Sequence, residues 1–446
     1  MHCKQKFDNR FLLKLVIPLV FEQLLAVSVG FVDTLMISTV GEYAISGVAL
    51  VDNINRLVIQ VLAAFATGGV VVVSQFIGKG SKEESRICTG QLISLMLIFT
   101  IILTVIFILF PSWILGAVFP GVEDEVMKAA IVYLVVTAYS YPFLAFYNSG
   151  AAIFRSFGNS SVSMIISIVM NAVNVVFNAI FVFGMKMGVM GVAMATLISR
   201  VAASILMFIF MSSDKNELKG NTFRDFLPKG RYILRILRIA IPSGIENGMF
   251  QVGKLLVVGM VATLGTSAIA ANSVAYQIID FPNLPASSIG IALITIVGQC
   301  IGSGDIDTAK RQITKLLKYA YISDWMSKGL LFIFAPVIVR WFSLTQQTSD
   351  IVIIVLRAFF IASIIIWPLS FTLPNALRAA GDVKYTIAVS IVSMWLCRIG
   401  ASYILVNYLS MGLMGVWLGM FIDWYVRGIS YGIRYLSRKW LDHSVV

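Results

Sequence analysis

The stretch IPLVFEQLLAVSVGFVDTLMIS, residues 17–38, has a partner in IPSGIENGMFQVGKLLVVGMVA, residues 241–262. Both are long enough to cross a bilayer, which takes about 20 apolar residues at 1.5 Å rise. Shifting the chain on itself by 224 residues pairs Ile17-Pro18 with Ile241-Pro242 and Glu22 with Glu246. The same shift pairs Gly41 with Gly265, Gln75 with Gln299, and GVMGV from Gly188 with GLMGV from Gly412. A shift of 223 brings Arg155 and Gly158 onto Arg378 and Gly381. The chain is therefore read as two copies of one unit.

Composition sets the class. The 446 residues are 59% hydrophobic and 13% charged, with mean hydropathy +0.89, whereas soluble domains carry about 25% charged residues. Apolar runs recur near residues 12–37, 47–77, 90–110, 126–151, 161–185 and 189–212. They resume near 236–262, 270–300, 314–339, 350–376, 385–407 and 411–433. The expected fold is all-α: a polytopic membrane protein of about twelve transmembrane helices in two pseudo-symmetric six-helix lobes. The expected boundaries are an N-lobe at 1–213, a cytoplasmic linker at 214–235 and a C-lobe at 236–446. Six helices per half give a parallel repeat, a transporter architecture in which one lobe rocks against the other.

Loop charge orients the chain. Lys4, Lys6, Arg10 and Lys14 precede the first span, and Lys79, Lys82 and Arg86 follow the second, while TVGEY and PGVEDEVMK on the opposite side are poor in cations. Cationic loops stay inside, so both termini are expected in the cytoplasm of a prokaryotic cell, with the chain in its plasma membrane. The net charge of +12 then reflects anionic lipid at that face, and no nucleic-acid partner is implied. His2 and His443 lie at the chain ends and the four cysteines have no metal spacing, so neither imidazole nor thiol chemistry is expected inside the membrane. No Ser-Lys pair or metal constellation stands out, so an enzyme is disfavoured and no cofactor is expected.

The order and spacing of IPLVFEQLLAVSVGFVDTLMIS, VVSQFIGKG, FRSFGN, NAVNVVFNAIFVFGMKMGVMGVAMATLISR and LPNALRAAGD resemble the multidrug and toxic compound extrusion family along essentially the whole chain. The resemblance implies an antiporter that exports amphipathic, often cationic organic compounds in exchange for Na+ or H+. A lipid-linked saccharide flippase of the related superfamily is the alternative; its pyrophosphate cargo would call for basic residues in the cavity, for which Lys254, Arg398 and Arg200 are the candidates. The expected partners are small amphipathic molecules and membrane lipid, and a monomer is expected.

The repeat separates fold from function, because residues needed by the fold alone should match between halves. Asp33 pairs with Val257, and Thr196 with Met420. Asn171, Asn174 and Asn178, spaced by three and four, lie on one helix stripe that should face protein or water rather than lipid. A carboxylate in hydrocarbon costs about 3 kcal/mol on insertion scales, so Asp33 calls for a partner. Asp33, Asn174, Asn178 and Thr196 present hard oxygen ligands suited to a hard cation. The resemblance places them in the N-lobe cation site, with Asn178 where some relatives carry an acid. A single formal charge suits Na+; burial disfavours the charged form of a carboxylate, so a proton is the other candidate.

Five more polar residues are candidates for the substrate cavity: Glu22, Asn171, Glu246, Lys254 and Asp280. Glu22 and Glu246 match between halves and are expected to serve the fold first. Lys254 and Asp280, on neighbouring spans, are expected to pair, as are Asp52 and Arg56, four apart on the second span.

Overall fold

A computed structural model describes residues 7–37, 39–213, 223–342 and 344–443. All regular structure among them is helical. The first half contains α1 (Asn9–Ile37), α2 (Glu42–Lys79), α3 (Lys82–Leu109), a bent α4 (Asp124–Tyr139 and Tyr141–Ser156), α5 (Ser161–Gly184) and α6 (Gly188–Ser212). The second contains α7 (Gly230–Ala262), α8 (Thr266–Gly302), α9 (Ile306–Arg340), α10 (Gln346–Ala379), α11 (Val383–Asn407) and α12 (Gly412–Leu436). Ten of these helices, eleven counting the bent pair, are long and apolar enough to cross a membrane. The twelfth, α12, carries Asp423 and Arg427 in its middle.

The chain forms two compact units, Asn9–Ala240 and Ile241–Val446, the latter joined by Phe7 and Asp8. The division falls within α7. Of the linker stretch at 214–235, residues 214–222 lie outside the described residues. Its far end docks on α3: Gln91 Nε2 donates to the carbonyls of Asp225 (2.7 Å) and Leu227 (2.8 Å), and Arg86 pairs with Asp225 at 3.1 Å.

The repeat extends to backbone detail. The turn joining α5 to α6 holds Lys186 at φ 54° and Gly188 at φ 56°, and the turn joining α11 to α12 holds Ser410 at φ 50° and Gly412 at φ 55°. Left-handed backbone at a non-glycine residue is uncommon; finding it twice, 224 residues apart, identifies one tight connection used in both units.

The fourth span departs from expectation. The apolar run near 126–151 is two helices meeting at 47°, because Ser140 and Pro142 interrupt the ladder: Pro142 supplies no N–H. Ser140 Oγ binds the Thr137 carbonyl at 2.5 Å and accepts from Arg200 Nη1 at 2.6 Å.

Within the first unit, α1 packs on α5, α5 on α6, α2 on α4, and α4 on α6. A core including Ile37, Val48, Val51, Leu134, Val182 and Val192 knits these helices together beneath the polar residues described next.

Candidate cation site

α1 carries Asp33 and α5 carries the three asparagines. Spacing by three and four turns Asn171, Asn174 and Asn178 inward, and all three are buried. Asn178 is the hinge of the arrangement. Its Nδ2 donates to Asp33 Oδ1 at 2.6 Å and to Asn174 Oδ1 at 3.1 Å. Sequence reasoning thus brings together two helices that the structure joins by one amide. Thr196, on α6, is buried as well. Two oxygens have no hydrogen-bond partner: Asn178 Oδ1 and Thr196 Oγ1. Leaving a buried acceptor unsatisfied costs about 1–3 kcal/mol, so such atoms mark where a donor or a cation fits.

Local backbone supports this presentation. Immediately after Asn178 the helix widens over Ala179–Gly184, with Met185 N bonding to Ile180 O, five residues back, at 2.8 Å. Such one-turn widenings recur at functional sites. Asn171 stands apart from the others, donating to Ser167 Oγ at 3.5 Å.

A second polar layer adjoins the first: Asp52 and Arg200, which the sequence reading named for other roles, are joined there by Asn55, Tyr133 and Tyr141, which it passed over. Asp52 and Arg200 are the charged groups acting on Asp33. Asp52 accepts from Asn55 Nδ2 at 3.3 Å and has the buried Tyr133 beside it, while Tyr141 Oη donates to Asn55 Oδ1 at 2.6 Å. Arg56, expected to neutralise Asp52, is exposed and acts on it only through its charge. The tyrosines could not have been found by periodicity, since aromatic residues on apolar helices are ordinary core.

The cavity candidates divide. Glu22 pairs with Arg155 at 3.4 Å and accepts from Ser163 Oγ at 2.8 Å. Its repeat mate Glu246 receives Arg378 Nη2 on both oxygens at 2.8 Å. Arg155 and Arg378, which match between the halves, lie in the last turns of helices, where cations also favour the helix dipole. Lys254 on α7 and Asp280 on α8 are exposed side chains.

The metal-ligand chemistry of this site is oxygen only. Asp33, Asn174 and Asn178, which the structure brings together, could supply a carboxylate and two carboxamides to one cation, provided that Asn178 turns its amide so that oxygen replaces nitrogen; Thr196 lies on the neighbouring helix α6 with its hydroxyl unbonded. No group of three or more His, Cys, Asp or Glu side chains is placed to hold a metal among the described residues.

Comparison with known proteins bears on both halves. The profile of the MatE family matches residues 18–180 and again 242–404, displaced by 224 at both ends. A probable multidrug resistance protein NorM of Thermotoga maritima is 27% identical over 98% of this chain and 94% of its own length. An uncharacterized transporter of Bacillus subtilis, YisQ, is 29% identical over 99% of this chain and 97% of its own. Among solved structures, MATE in a bent conformation superposes with TM-score 0.89 at 21% identity, covering 96% of this chain and 94% of that one. An outward-facing multidrug resistance MATE family transporter of the MOP superfamily gives TM-score 0.88 at 22% identity, covering 96% and 95%. At such identities the structures establish the fold, and the doubled profile establishes kinship. The chain belongs to the MatE family of multi-pass membrane transporters.

Proposed function

We propose that this transporter is a secondary antiporter of a bacterial plasma membrane, exporting amphipathic, cationic organic compounds in exchange for Na+ or H+. Asp33 is the coupling carboxylate, with Asn174, Asn178 and Thr196 completing the ion site. The observation that carries this reading is the Asn178 bridge: one amide satisfies Asp33 and Asn174 while its own oxygen and the Thr196 hydroxyl lack partners. A monovalent cation arriving among these atoms meets one formal charge and neutral oxygens, the ligand type hard cations take. The names of NorM relatives agree with drug export. Both termini lie in the cytoplasm on the loop-charge argument, and the monomer is the working unit.

In the proposed cycle, ion binding from outside favours a state that releases drug outward, and drug binding from inside favours ion release. Linkage makes the effect mutual, each ligand weakening the other by the same factor. The flippase alternative is weakened because Arg398 is committed to Asp423 at 3.2 Å and Arg200 to Ser140.

Efflux of a cationic fluorescent dye from proteoliposomes, driven first by a sodium gradient and then by a proton gradient, tests the reading. One gradient should drive export in the native protein and fail to do so in Asp33→Asn. Equal export by both proteins would overturn it.

A further inference from the structure

The second unit has its own polar cluster at the corresponding place, built differently. At the offset of 224, Asn174 corresponds to Arg398, Asn178 to Ser402 and Ser199 to Asp423. Burial fixes this register: Asn174 and Asn178 are buried, as are Arg398 and Ser402, and the exposed Ala172 falls on the exposed Leu396. A slip of one residue would set buried asparagines against half-buried Cys397 and Ala401. The matching left-handed turns that follow both helices give the same alignment.

Although Val257 on α7 replaces Asp33, the second unit does not lack a carboxylate. Asp423 on α12 is fully buried, accepts from Ser393 Oγ at 2.6 Å and lies 3.2 Å from Arg398 Nε. Arg427 Nη1 is 3.9 Å from the same carboxylate. The Arg427 guanidinium is also held over the rings of Phe250 (4.9 Å) and Phe371 (4.8 Å). Both units therefore set a carboxylate against an uncharged donor from a packed helix, Asn178 in the first and Ser393 in the second. In the first, the remaining ligands are neutral oxygens; in the second, a guanidinium takes their place.

We propose that Arg398 is a tethered cation that permanently fills the second unit's counterpart of the ion site, so that only the Asp33 site loads and unloads during transport. The inference rests on the reading of the Asp33 cluster as an ion site. Arginine suits the role because it does not lose its proton in proteins and cannot diffuse away. Charge counting agrees. Asp423 with Arg398 and Arg427 sums to one positive charge; the other acids in reach are Glu246, held on both oxygens by Arg378, and Asp280, which acts with Arg398 on Tyr276. Without Arg398 the Asp423–Arg427 pair is neutral, and one sodium ion restores the native charge.

The test uses full-length protein in detergent, with melting temperature read in sodium chloride and in N-methylglucamine chloride at equal ionic strength. In an Asp33→Asn background, Arg398→Asn should gain a sodium-dependent rise of a few degrees that Asp33→Asn alone lacks. Adding Asp423→Asn should remove the gain, and Arg398→Lys, which keeps a cation in place, should not show it. An Arg398→Asn protein indifferent to sodium overturns the proposal, as does a sodium gain that survives Asp423→Asn. So does failure of Arg398→Asn to accumulate even in high sodium, since a free ion should then substitute for the guanidinium. Failure of the Asp33 reading has a separate signature: native and Asp33→Asn proteins would respond to sodium alike, whatever Arg398→Asn does.

Discussion

In the first unit, the buried atoms without a hydrogen-bond partner on Asn178 and Thr196 are neutral oxygens; in the second, those on Asp423, Arg398 and Arg427 belong to opposite charges facing one another. Arg398 and Arg427 converge on Asp423, and Lys328 meets Asp324 at 2.7 Å with both side chains buried on α9. Lys328 Nζ also lies 4.4 Å from the centre of the Trp367 ring, a favourable place for an ammonium. The two units share a fold and a connection geometry, and differ in side-chain chemistry and in where the helix widens: after Asn178 in the first, across Ser393–Gly400, which carries Arg398, in the second. A pseudo-symmetric transporter can keep one half electrostatically closed and leave the other open to an exchangeable ligand.

The largest effect that would break this comparison is at Asp33. Asp33→Asn should insert normally and lose gradient-driven dye efflux altogether, measured in proteoliposomes against membrane abundance. Next is the buried pair of α9. Lys328→Met strands Asp324 and should destabilise the protein by about 3–5 kcal/mol, whereas Lys328→Met with Asp324→Leu should recover most of the loss; melting curves of the purified variants would decide. If the single and double changes cost the same, the pair is not self-contained. A smaller effect distinguishes the matched glutamates. Glu246→Gln removes a two-oxygen grip on Arg378 and should cost about 1.5–3 kcal/mol. Glu22→Gln, which loses a single 3.4 Å contact and can keep the Ser163 bond, should cost less by the same melting assay. The smallest is Thr196→Val, which removes one neutral ligand and should raise the half-saturating ion concentration about tenfold, a loss near 1.4 kcal/mol, without changing maximal efflux.

Helix number and repeat were legible because hydrocarbon demands long uninterrupted runs and because duplicated turns keep their glycines. The bend in the fourth span was visible only as Ser140 and Pro142 in an otherwise apolar run, which does not determine an angle. For the site, spacing placed the asparagines on one face, and the mismatch with Val257 singled out Asp33. The second unit's charges were harder to see. Asp324–Lys328 and Asp423–Arg427 have the same four-residue spacing as Asp52–Arg56, yet Asp52 takes Asn55 instead. Spacing says which groups can meet; competition from neighbouring groups, absent from the sequence pattern, decides which do.

A carboxamide is an uncharged side chain that can present either hydrogens or a lone pair by a half-turn of its end. With its nitrogen toward Asp33, Asn178 quiets the carboxylate without any ion; with its oxygen turned there instead, it helps to hold one. In the proposed cycle the carboxylate thus has a partner on both legs, and the ion-free leg need not drag a bare negative charge past lipid. A leucine at position 178 would, on that reading, leave the ion-loaded leg short of a ligand and the ion-free leg short of a hydrogen-bond donor.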